Sequence, residues 1–159
     1  LADQPCILPE HLRTQTLITY PVSPQRLDVF TRFLNPAGVV PAQVRTAEMT
    51  LMMAQLVASH RGVAVLPNWA VSEYEASGLL TSRPLGTGGV WGQLYAAVRK
   101  RERDAPFMRA FLETLEDVSF RTLRGIRSAS SREDIPGDLL RPSSSPGDDE
   151  GGRNGQGGT

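Results

Sequence analysis

The stretch Thr46–Tyr74 reads TAEMTLMMAQLVASHRGVAVLPNWAVSEY, and its pattern decides the fold class. A polar loop, Thr46-Ala47-Glu48, opens it. Met49, Met52, Met53, Leu56 and Val57 then recur at helical spacing, which predicts a helix with those five residues facing inward. His60-Arg61-Gly62 breaks the helix. Val63-Ala64-Val65-Leu66 is a continuous apolar run, as expected for a strand covered on both faces. Pro67-Asn68 stops the strand and starts another helix, with Asn68 as N-cap and an end near Gly78. Loop, helix, turn, strand, turn and helix within about thirty residues is the size of one crossover unit of an open α/β sheet. In such sheets ligands sit where strand ends meet helix starts.

Working outward, the upstream chain repeats the alternation. Leu1–Arg13 reads as a connector with one helical turn at Pro9-Glu10-His11-Leu12. Leu17-Ile18-Thr19-Tyr20 is β-rich and stops at Pro21, which predicts a short strand. Ser23-Pro24 has the form of an N-cap followed by a proline at the first helical position. It predicts one helix with Leu27, Phe30, Phe33 and Leu34 on its inner face, ended by Asn35-Pro36-Ala37-Gly38. Val39–Arg45 reads as a second, weaker strand. Downstream, Leu79–Leu85 is a candidate edge segment because Pro84 cannot donate to a central ladder. Gly86-Thr87-Gly88-Gly89 is a turn, and Gln93–Arg99 alternates as a strand. Lys100–Arg103 is a charged turn. Asp104 is the expected cap of a last helix whose inner face is Phe107, Met108, Phe111, Leu112 and Leu115. Residues 121–159 are dominated by Gly, Ser, Pro and charge, the signature of a disordered tail, with a helical remnant near Arg121–Ile126.

Composition narrows the function classes. The 159 residues carry 17 Lys+Arg against 17 Asp+Glu, which disfavours a basic nucleic-acid module within this chain. One cysteine, Cys6, permits no internal disulfide and fits a reducing compartment. No secretory signal pattern is visible, and no apolar run reaches the roughly 18 residues of a membrane span. Catalytic signatures are missing: there is no GxSxG, HExxH, CxxC or GxxxxGK[ST] pattern, and Ser59-His60 are neighbours only in sequence. Two isolated histidines, His11 and His60, make no metal site.

Four segments in order, PEHLRTQTLITYPV, RLDVFTRFLNPAGVVP, the run from Thr46 to Leu80 and LYAAVRKRERDAPFMRAFLETL, resemble the effector-binding region of LysR-type transcriptional regulators. LVASHRGVAVLP looks like that family's helix–Gly–strand–Pro stretch. YPVSPQRLDVFTRFLNPAG, VLPNWAV and WGQLYAAVR are most similar to the subgroup that activates methionine biosynthesis, whose co-effector is homocysteine. The resemblance implies an α/β, type II periplasmic-binding-protein-like regulatory domain. It places a partial effector-binding domain at residues 1–120, with a nearly complete second subdomain at about 15–93 and then the returning strand and helix of the first. It implies a cytoplasmic, non-enzymatic protein without cofactor or metal. The full-length regulator would be a homodimer or homotetramer, touching DNA only through a helix-turn-helix absent from this chain. A small amino-acid-like effector would be its ligand. A dimer surface on the helix Thr50–Ser59 and its neighbouring strand is implied too.

Carried over by position, one wall of the effector cleft is Tyr20, Val22 and Ser23, then Thr46, Glu48, Met49 and Thr50, then Pro67 and Asn68. The chemistry is coherent with homocysteine. Helix-start N–H groups with the Thr50 and Ser23 hydroxyls suit a carboxylate, Glu48 suits an ammonium, and Met49 or Tyr20 suits the thiol-bearing arm. Plainer roles fit the same residues: Ser23 and Asn68 as helix caps, Glu48 as a complement to the helix dipole, and the methionines as core fillers. A solute-binding protein of a transport system shares the bilobal fold and is the alternative at this point; a small dehydratase-like enzyme on the same scaffold is a third.

Overall fold

A short parallel sheet centres the computed structural model. Its middle strand, β1 (Thr16–Thr19), is flanked on one side by β2 (Gln43–Thr46) and on the other by β3 (Val63–Ala64), giving the order β2-β1-β3. Thr16 to Thr19 pair in register with Gln43 to Thr46, and Leu17 and Ile18 with Val63 and Ala64. Parallel strands require crossovers, and α2 (Thr50–Ala58) supplies the one that carries the chain from β2 past β1 to β3. The structure describes residues 1–127, of which Leu1–Ile126 form one structural unit.

Alternation along β1 sends successive side chains to opposite faces. Leu17 enters a cluster with Ile7, Leu12, Val29, Phe30, Phe33, Leu34 and Val39. Ile18 is equally buried and points the other way, the side on which Met53 and Ala54 of α2 and Val71 of α3 (Asn68–Ala76) are the buried apolar residues. The turn before β3 is set by two residues. His60 adopts a left-handed φ of 57°. A Cβ on Gly62 would stand 2.4 Å from the Thr16 carbonyl oxygen, so only glycine lets β3 approach β1 this closely.

The first expected helix is not one helix. A 3₁₀ turn at Pro24–Arg26 ends on Leu27, whose φ of −113° and ψ of 117° are extended, and a π-helical segment follows at Val29–Leu34. Ser23 and Pro24 do hold the N-cap and first positions of the 3₁₀ turn, but the Ser23 hydroxyl makes no cap bond and donates instead to the Gln25 side chain. The wider π turn brings Val29, Phe30, Phe33 and Leu34 all inward, so burial of four apolar residues in six outweighs regular α-helix hydrogen bonding. Asn35–Ala37 then closes in a 3₁₀ turn, and Gly38 takes the left-handed conformation at φ 63°.

Other elements also depart from the sequence pattern. The short helix α1 (Pro9–Leu12) is present, and His11 is engaged: its Nδ1 accepts the Leu8 N–H at 3.1 Å. The expected connector contributes to the core through Ile7, which bridges to Leu85 in parallel and draws that segment in. β3 covers only Val63 and Ala64, and both are half-buried because β3 is an edge of the three strands. Gln93–Arg99 forms no strand; among the described residues no strand lies beside it to take its ladder hydrogen bonds. The last helix, α4 (Pro106–Thr122), begins from Ala105 rather than Asp104. A residue before proline is pushed to extended geometry, and Pro106 itself needs no N–H acceptor at the first position. Phe107 and Phe111 are 66% and 55% exposed while Met108 and Leu112 are half-buried, so the face expected to be inward is apolar and only partly covered. α4 includes Arg121 and Thr122; the rest of the expected tail from residue 128 on lies outside the described residues. Among the described residues no helix is long and apolar enough to cross a membrane.

Candidate functional site

The C-terminal ends of β1 and β2 and the starts of α2 and α3 lie along one edge of the sheet, where parallel α/β folds bind ligands. Three backbone features build this edge. The Thr19 carbonyl, at the end of the central strand, accepts the Ala47 N–H at 2.9 Å and holds the loop after β2. Val22 N–H donates to the Tyr20 carbonyl at 2.8 Å, turning the chain sharply after β1. Met49, extended at φ −118° and ψ 137°, delivers the chain into α2.

Two expected site residues meet directly. The Tyr20 and Thr50 hydroxyls share a part-buried hydrogen bond of 2.7 Å, which fastens the end of β1 to the first residue of α2. No side chain caps the α2 N-terminus, so its first-turn N–H groups have no side-chain acceptor and keep their affinity for an anion. α3 differs. Pro67, not Asn68, is its N-cap, and Asn68 occupies the first helical position. There its Oδ1 accepts the Trp69 N–H at 3.0 Å, covering one of the donors expected to serve a ligand.

Four of the expected site residues line two cavities. Thr46, Glu48 and Met49 line one of about 300 Å³ together with Ala47, Met52 and Leu56. Thr50 lines a second, of about 460 Å³, with Trp69, Ser72, Glu73 and Tyr74 of α3. Tyr20, Val22, Ser23, Pro67 and Asn68 line neither. Val22 and Ser23 are exposed, and Glu48 is an exposed carboxylate beside the α2 start. Met49 and Met52 are 59% and 53% exposed, correcting their expected place in the inward stripe; Met53 and Ala54 hold that place. Their exposure follows from geometry: with β2 at the sheet edge, nothing in the described unit covers the outer side of α2.

Sequence reasoning passed over Trp69, Ser72 and Glu73 as cavity residues. The signal was present, since a helix places positions i, i+3 and i+4 on one face, so Trp69 fixes the face that carries Ser72 and Glu73. Among the described residues, no group of three or more His, Cys, Asp or Glu side chains is arranged to hold a metal ion.

Comparison with known proteins fits this geometry. Residues 1–119 match the LysR substrate binding domain family. The chain is 40% identical over 144 residues to the HTH-type transcriptional regulator MetR of Escherichia coli K12, covering 91% of this chain and 44% of that protein. It is 38% identical over 146 residues to MetR of Salmonella typhimurium, covering 92% and 45%. The solved regulatory domain of MetR, a LysR family regulator from N. meningitidis, superimposes with a TM-score of 0.71 at 35% identity, covering 80% of this chain and 58% of that one. The chain thus spans less than half the length of these full-length relatives, which are transcription regulators. It belongs to the LysR family, its residues 1–119 matching that family's substrate-binding domain, with the periplasmic-binding-protein-like α/β fold.

Proposed function

We propose that this chain supplies one wall of the effector cleft in a MetR-like activator of methionine-biosynthesis genes, with homocysteine as the effector. The supporting observation is the Tyr20–Thr50 hydrogen bond, which holds the uncapped first turn of α2 at the end of the central strand. A carboxylate suits those N–H groups and the Thr50 hydroxyl. Exposed Glu48 suits the ammonium, and exposed Met49 suits the thiol-bearing arm. Binding across two lobes would bias their relative position and thereby the grip of the assembled regulator on DNA.

Two exposed apolar surfaces support the assembly part of this reading. Val44 of β2 with Leu51 and Met52 of α2 form a surface suited to a second subunit, and the partly covered apolar face of α4 suits the other lobe. The regulator would work in the cytoplasm. A transport solute-binding protein is not favoured, because the relatives are transcription regulators.

The test is isothermal titration of L-homocysteine into a completed regulator, made by placing residues 1–159 behind the preceding part of E. coli MetR. Glu48→Gln and Thr50→Val are each expected to weaken binding about tenfold, the loss of one hydrogen bond to a charged group. Unchanged affinity in both variants would remove this wall from the site.

A further inference from the structure

Between Pro84 and Gly92 the chain is tied to the sheet unit at successive points, and past Gly92 the ties stop. Ile7 N–H donates to the Pro84 carbonyl and Gly86 N–H to the Ile7 carbonyl, both at 2.8 Å. Leu85 and Val90 pack against the core cluster. The Trp91 indole N–H closes the following turn onto the Gly88 carbonyl at 2.9 Å. Arg32, on the π segment, donates from Nη1 to the Trp91 carbonyl. Asp28 holds that same Nη1 at 3.7 Å. A Cβ on Gly92 would lie 3.2 Å from Asp28 Oδ2, so glycine lets the backbone pass close to the pair. From Gln93 to Ala97 every residue is exposed, Leu94 by 61% and Tyr95 by 69%.

On the two-lobe effector reading above, we infer that Arg32, oriented by Asp28, is a positioning residue: it fixes Gly92–Gln93 as the pivot about which the other lobe turns. Its hydrogen bond is to a main-chain carbonyl, so it holds the backbone itself and sets the direction in which the chain leaves. A planar, permanently charged guanidinium keeps that direction better than a neutral or freely rotating donor. Asp28, four residues before Arg32, restricts the arginine further. Rotation of the lobes is then confined to the few backbone dihedrals past the clamp, as hinges commonly are. A fixed pivot turns closure on an effector into one defined displacement, whereas a loose one spreads it over many orientations. Neither Arg32 nor Asp28 lines either cavity at the candidate edge. The pair therefore governs lobe orientation while the effector carboxylate stays at the start of α2 and α4 stays seated on the other lobe.

The test is the spread of distances between the two lobes, read by pulsed electron paramagnetic resonance on the completed regulator. Its only cysteines are the two that carry spin labels, Ala76→Cys on α3 and Glu113→Cys on α4, and labelled subunits are diluted in unlabelled ones. Both labelled positions and Arg32 are exposed, so the variants keep the core intact. Without any effector, Arg32→Gln is expected to widen the spread about twofold. Arg32→Lys keeps a charged donor and is expected to stay closer to the wild-type spread than to that of Arg32→Gln. Isothermal titration with L-homocysteine is expected to give affinities within about twofold of wild type for both, since Arg32 touches no cavity residue. A wild-type spread in Arg32→Gln overturns the pivot. Equal widening in both variants overturns the charged grip on the backbone. A homocysteine affinity lowered tenfold or more (about 1.4 kcal/mol) places Arg32 in the effector wall and overturns its positioning role. Widening in Arg32→Gln alone, with no homocysteine heat in any protein, upholds the pivot and overturns homocysteine as the effector.

Discussion

Breaking the Tyr20–Thr50 pair measures how firmly the candidate wall is tied to the sheet. The contact is a 2.7 Å hydroxyl–hydroxyl hydrogen bond between a residue just past β1 and the first residue of α2. A neutral hydrogen bond contributes about 1 kcal/mol net. Because both groups are only part-buried, a partner left behind by Tyr20→Phe or Thr50→Val still reaches water. Each single change is therefore expected to cost about 1 kcal/mol, not the roughly 3 kcal/mol of a stranded buried group. The double variant removes both hydroxyls, and its cost should fall short of the summed singles by about 1 kcal/mol. Urea unfolding followed by circular dichroism reads this as a midpoint shift of about 0.5 M per kcal/mol, for a slope near 2 kcal/mol/M that stays constant across the set. Additive effects within about 0.3 kcal/mol would show that the two hydroxyls do not hold each other. The uncapped turn would then lack this tie to the central strand.

Gly62→Ala should destabilise the chain by about 3 kcal/mol in the same assay, because its Cβ meets the Thr16 carbonyl at 2.4 Å and strand backbone yields little; a loss below about 0.5 kcal/mol would mean that β3 does not sit so close to β1. Leu34→Ala, at the 0% exposed last residue of the π segment, is expected to cost about 2–5 kcal/mol, and a near-neutral result would contradict this core. Met52→Lys should leave stability within about 0.5 kcal/mol, as its side chain is exposed, while lowering the self-association of the completed regulator in sedimentation. Unchanged association would place the subunit contact elsewhere.

The parallel sheet was readable from sequence because its punctuation is local. Pro21 stops the chain just after β1, Gly38 turns it ahead of β2, and Gly62 admits β3. The π segment was not readable. Leu27, Phe30 and Leu34 fit an α-helix as well as a wider turn, and only packing against Leu17 and Val39 decides between them. Periodicity likewise marked the apolar faces of α2 and α4 without telling covered from bare, since coverage depends on neighbours distant in sequence. That is why Met49 and Met52 read as core and prove exposed, while Met53 reads the same and is buried. At the site, residue positions carried over from the family resemblance brought Tyr20 and Thr50 into one hydrogen bond. They did not foresee that Asn68 turns its side chain onto Trp69, because the cap position passed to Pro67. Gly125 gave no sign in sequence of meeting Asn68, a contact that joins positions 57 residues apart.

In the proposed function, this edge of the sheet holds a small amino acid bearing a thiol. Isothermal titration of the completed regulator with L-homocysteine, L-methionine and L-cysteine in parallel tests it most directly. Saturable heat with homocysteine, at least about tenfold tighter than with the other two and weakened by Thr50→Val, is the expected result. No heat with homocysteine, together with saturable heat from a different metabolite, would contradict it.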